Sequence, residues 1–148
     1  MSKKHDLEID YSNFEKHTML PIYRKSLDIR KLTNDVVEYI DEEKDDLNIK
    51  QQMLENAYMI SAKIAGAEAG ELYSYRLENA LSIKRFANEL NTELALCESK
   101  GIGKPEAMKM LKVELEEFRK MFISWVESFD RSKDVEDPWS LWQDEGGG

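Results

Sequence analysis

Apolar residues return every three or four positions through most of this chain, the period of an amphipathic helix. The clearest run is Met108, Leu111, Leu115, Phe118, Phe122, Trp125 and Phe129, which alternates three and four without a miss. It predicts a long helix opened by Pro105, since proline suits a first turn whose N–H has no partner anyway. A second run, Ile22, Ile29, Leu32, Val36, Tyr39 and Ile40, predicts a helix from Pro21 to Asp41. Leu47, Met53, Leu54, Ala57, Ile60, Ile64 and Ala65 predict a third, with Asp46 as N-cap and an end near Gly66 or Gly70. Tyr73, Leu77, Ala80, Ala87, Leu90, Leu94 and Cys97 mark a helix over Leu72 to Lys100, closed by Gly101 in a left-handed cap.

Four long helices with short links predict an all-α, up-down-up-down four-helix bundle over residues 19–130. Residues 1–18 form a polar arm, read either as flexible or as docking on a partner or neighbouring subunit. Leu7, Ile9 and Tyr11 alternate with acids there, too briefly to define a strand. Residues 131–148 form an acidic, turn-rich tail carrying Trp139, Leu141 and Trp142. Aromatic residues in a segment too short for its own core are docking anchors, or else they cover the end of the bundle.

The last helix also carries Met110, Val113, Met121, Ile123 and Val126 away from its main stripe. The surplus suggests a contact between subunits of a ring-shaped homo-oligomer. A wide stripe serving a single core is the alternative.

Composition narrows the class. The chain has 148 residues, one domain by length, and only three prolines and seven glycines. Its single cysteine, Cys97, excludes an intrachain disulfide and favours a reducing, cytoplasmic setting. No apolar run approaches the roughly 20 residues of a membrane span, so no membrane partner is expected. The net charge of -9 opposes bulk attraction to nucleic acid and leaves only a local basic patch.

Catalytic and metal chemistry is hard to place. A di-iron bundle needs Glu-x-x-His pairs, whereas the only histidines, His5 and His17, precede the first helix. Cys97 falls on an apolar face without a neighbouring base. The GIGK at 101–104 lacks the remainder of a phosphate loop. No cofactor, no metal and no enzymatic activity are expected. The first helix, however, begins with Arg24, Lys25, Arg30 and Lys31 and ends in acids, against its own dipole. Bases so placed suit phosphates or an acidic protein surface, with Lys63, Lys84 and Arg85 as extensions.

MISAKIAGAEAG at 59–70, LSIKRFANEL at 81–90 and MFISWVESFDR at 121–131 resemble a bacterial four-helix-bundle family over roughly residues 20–131. That family includes the intervening-sequence proteins of large-subunit ribosomal RNA and the accessory variability proteins of diversity-generating retroelements. Many relatives carry a segment like S-I-P-x-N-I-A-E-G. Met59, Ser61, Lys63 and Gly66 stand here where that pattern has Ser, Pro, Asn and Glu, while Ile60, Ile64 and Ala65 agree. The resemblance implies a non-catalytic, pentameric accessory protein that binds a reverse transcriptase and its template RNA. The retroelement proteins are basic, and this chain is acidic. A protein–protein scaffold on the same fold, without nucleic acid, is the other expectation.

Overall fold

The structure, a computed structural model, describes residues 16–134. Trp139, Leu141 and Trp142 of the tail, and most of the N-terminal arm, lie outside the described residues. The described part is all-helical, with four long helices and no strand. These are α1 (Pro21–Glu38), α2 (Ile49–Glu68), α3 (Tyr73–Lys100) and α4 (Pro105–Glu127). Lys16–Met19 and Glu42–Lys44 add short 3-10 turns.

Neighbours in sequence are neighbours in space. α2 packs most extensively on α3, α1 packs on α4 and α2, and the seam between α3 and α4 is the least closely packed. Lys100 at the end of α3 meets Asp46 ahead of α2 at 3.2 Å, and the Lys104 amide donates to the Val36 carbonyl at 3.3 Å. These contacts put successive helices antiparallel, the predicted up-down-up-down bundle.

The core runs the length of the bundle through Ile29, Met53, Ile60, Ile64, Ile83, Leu90, Leu94 and Leu111, all fully buried. α4 buries its predicted stripe except for Phe122, which stays half-buried. α1 differs from the reading of its apolar residues. Tyr39 is exposed, while Ser26 and Thr33 are fully buried between Ile22, Ile29 and Val36. Each hydroxyl donates to a carbonyl of its own helix, Ser26 to Tyr23 and Thr33 to Ile29, so burial leaves neither donor unpaired.

The helix ends show where local chemistry differs from expectation. α1 stops at Glu38 rather than Asp41. Asp45, not Asp46, caps α2, its two carboxylate oxygens accepting from the Ile49 and Lys50 amides at 2.7 and 2.9 Å. α3 has no side-chain cap of its own. The segment beyond α4 serves instead: the Tyr73 amide donates to the Lys133 carbonyl and the Ser74 amide to the Asp134 carboxylate. Gly101 closes α3 at φ 65° in the left-handed region, as predicted. The small residues ending α2 allow close approach, since a Cβ on Gly66 would stand 3.2 Å from Asn79 Oδ1 of α3.

Candidate binding surfaces

The basic residues of α1 do not converge on one patch. Lys25 turns toward α4 and bonds Glu114 and Glu117 at 2.7 and 2.8 Å. Those two carboxylates hold its ammonium above the ordinary lysine value, the hydrogen bond to Glu114 most strongly. They also account for a base near the start of α1 without any external partner. Arg30 turns toward α2, its guanidinium 5.1 Å from the centre of the Tyr58 ring. Arg24 reaches back to the Thr18 carbonyl, and Lys31, two turns further on, shares its exposed side of the helix.

Lys63 is half-buried on α2, and Lys84 and Arg85 are exposed on α3. Because α3 lies diagonally across the bundle from α1, Lys84 and Arg85 do not extend the Arg24–Lys31 face. Any nucleic-acid contact would therefore use separate, small groups of bases.

The surplus residues of α4 also divide. Met121 and Val126 are half-buried against the chain's own core. Met110 and Val113 are each 57% exposed, and Ile123 is 44% exposed. At about 100° per residue, Ile123 lies roughly 140° around the helix from Met110, so the three form no single stripe.

Two concavities involve α3. The larger, about 490 Å³, is a shallow hollow along Leu81, Arg85, Glu89 and Thr92, with Gln52 of α2 at its edge. The smaller, about 120 Å³, is more enclosed and lies in the seam between α3 and α4. Its apolar walls are Ile83 and Ala87 of α3 facing Leu115, Phe118 and Phe122 of α4. Ala87 has nothing beyond Cβ to fill the space, and polar Lys84, Asn88 and Asn91 surround it. α3 therefore cannot close the seam, and the ring of Phe122 stays partly open to solvent.

Three cations, Lys84, Lys112 and Arg119, line this groove against one carboxylate, Glu116. Arg119 binds Glu116 through two hydrogen bonds at 2.6 and 3.0 Å, and Lys112 pairs with Glu98. An apolar floor with a basic rim accepts an apolar side chain flanked by acids. Sequence reasoning placed Lys84 in a nucleic-acid patch and did not find the groove.

Elsewhere the polar chemistry is structural. Cys97 is buried beside Met53, its sulfur 3.7 Å from the thioether, and burial pushes the thiol up to about 11. A thiol so placed is protonated at neutral pH and is a poor nucleophile. Among the described residues, no group of three or more histidine, cysteine, aspartate or glutamate side chains is arranged to hold a metal. No described helix is long and apolar enough to cross a membrane. The chain matches no protein-family model and no curated protein.

Proposed function

We propose that this chain is a non-catalytic accessory protein that recognises a protein partner through the groove between α3 and α4. The observation that supports this is the open seam itself. It leaves Phe122 and Ala87 half-buried, beside a rim where Lys84 joins the internally paired Lys112 and Arg119. Apolar surface that a bundle does not use for itself is recognition surface. By the family resemblance the partner is a reverse transcriptase, met in the cytoplasm.

The scaffold reading, with no nucleic-acid partner, gains from the geometry of α1. Lys25 is already neutralised within the chain, and Arg30 is engaged with Tyr58. Template RNA, in the retroelement reading, would meet Arg24 and Lys31 on one side and Lys84 and Arg85 on another. Assembly into a homo-oligomer, a pentamer by resemblance, would rest on Met110 and Val113, which share one side of α4.

Affinity capture with the full chain tests the reading. Wild type should retain a protein partner that the variant Ala87→Glu, which fills the trough with an acid, releases. Capture of RNA alone, resistant to nuclease-free salt washes and unaffected by Ala87→Glu, would overturn it. Light scattering on the same samples reads subunit number directly.

A further inference from the structure

The seam has a feature that concerns the chain itself. After α4 the backbone crosses to the first turn of α3, which brings residues 131–134 to the end of the seam, about 14 Å of helix axis before the groove begins at Ile83. Three contacts fix this crossing. The Tyr73 amide donates to the Lys133 carbonyl at 2.8 Å, and the Ser74 hydroxyl donates to the Asp134 carboxylate at 2.8 Å. The Arg131 guanidinium stands 5.6 Å from the centre of the Tyr73 ring. The chain is thus delivered beside α3, at the end of the seam from which the groove runs.

We propose that the groove between α3 and α4 seats this chain's own segment 135–148, with Trp139 and Trp142 against the apolar floor. Three independent observations favour this occupant. The reach is sufficient. From Ser74 to Ile83 is about 14 Å of helix axis and to Ala87 about 20 Å. The chain from Asp134 spans about 17 Å to Trp139 and about 27 Å to Trp142 when extended.

The charge is complementary. Residues 135–148 hold Glu136, Asp137, Asp144 and Glu145 and no lysine, arginine or histidine. The rim offers Lys84; Lys112 and Arg119 also line it, each already paired within the chain, with Glu98 and with Glu116. The apolar content also matches, since Trp139, Leu141 and Trp142 supply large side chains where Ala87 leaves a trough. Tethering raises the local concentration of the segment, so modest intrinsic affinity is enough to keep the seat occupied.

The inference rests on the same groove as the proposed function and adds a consequence. A partner entering that groove must displace the segment, and the best competitor carries the same chemistry: an acidic stretch with paired aromatic anchors.

Photo-crosslinking in the full chain tests the placement. Trp139→p-benzoylphenylalanine is irradiated as a mixture of light and isotope-labelled protein, and the linked peptides are mapped by mass spectrometry. Links from position 139 to residues 83–91 or 112–122 of the same chain are expected. Adding Ala87→Glu should reduce them about tenfold, because a like charge then faces the acidic segment. Links to another face, links only between light and labelled chains, or links unchanged by Ala87→Glu each overturn the proposal. A partner that still protects the groove while position 139 links elsewhere would leave the proposed function standing and remove this inference alone.

Discussion

The side-chain amide of Asn56 on α2 donates to both carboxylate oxygens of Glu93 on α3, at 2.8 and 3.0 Å. Both residues are buried, and the pair ties together the most extensively packed helices of the bundle. An amide is a neutral partner, so the charge on Glu93 is left uncompensated. Burial raises the carboxyl above its ordinary value, and Glu89 and Glu55 push it further, while Asn56 opposes the shift.

The native state therefore binds this proton more tightly than the unfolded chain does. The Glu93 contribution to stability is fully present below the unfolded value and is lost as pH rises through the raised folded one. Glu116 and Asp130 are held below the ordinary carboxylate value by hydrogen bonds, from Arg119 and from Ser132, and act in the opposite sense. The difference between variant and wild type isolates Glu93. Glu93→Gln should be more stable than wild type at pH 7, with the advantage shrinking toward pH 4. Denaturant titrations across that range check the sign, and a variant less stable at every pH contradicts it.

At the opposite end, one carboxylate oxygen of Glu68 accepts from Trp125 Nε1 at 2.8 Å and from Arg76 Nη2 at 2.6 Å. The Arg76 guanidinium also lies 4.1 Å from the centre of the Phe129 ring. Glu68→Ala strands a mostly buried cation and an indole N–H together, and should cost about 3 kcal/mol. Trp125→Phe loses a hydrogen bond and some contact area, leaves the ion pair intact, and should cost about 1 kcal/mol. Chemical denaturation measures both, and equal costs would show that the ion pair adds nothing.

Lys25 separates a structural base from an RNA-binding one. Because Glu114 and Glu117 already satisfy it, Lys25→Gln should leave any RNA affinity and its salt dependence unchanged. Its stability cost should be about 1 kcal/mol or less. Removing Arg24 and Lys31 together should flatten the salt dependence by about two phosphate contacts if α1 meets RNA at all. Filter binding across a salt series reads both, and a loss of slope in Lys25→Gln contradicts the assignment.

The stripe of α4 was legible because every position in it is large and apolar. That of α1 was legible only in part. Ser26 and Thr33 occupy core positions that a hydrophobic pattern skips, and they bury because each hydroxyl finds a carbonyl in its own helix. Glu93 was illegible for a related reason: its partner Asn56 lies 37 residues away and is met only once α2 and α3 pack. The capping of α3 by Lys133 and Asp134 is likewise a tertiary fact. The basic run of α1 was visible as charge, but its dispersal depends on which neighbour each side chain faces. The groove had the weakest signal of all, a single Ala87 among polar Lys84, Asn88 and Asn91. A trough is an absence of contact between two helices, set by how they turn toward each other.

Hydrogen–deuterium exchange of the chain carrying Trp139→Ala and Trp142→Ala, so that the groove starts empty, with and without its captured protein partner is the most direct test of recognition through the seam. Binding should slow exchange in residues 83–91 of α3 and 112–122 of α4, with α1 and α2 unchanged. Protection confined to α1, or to the exposed Met110–Val113 side of α4, with the seam exchanging as before, would contradict it.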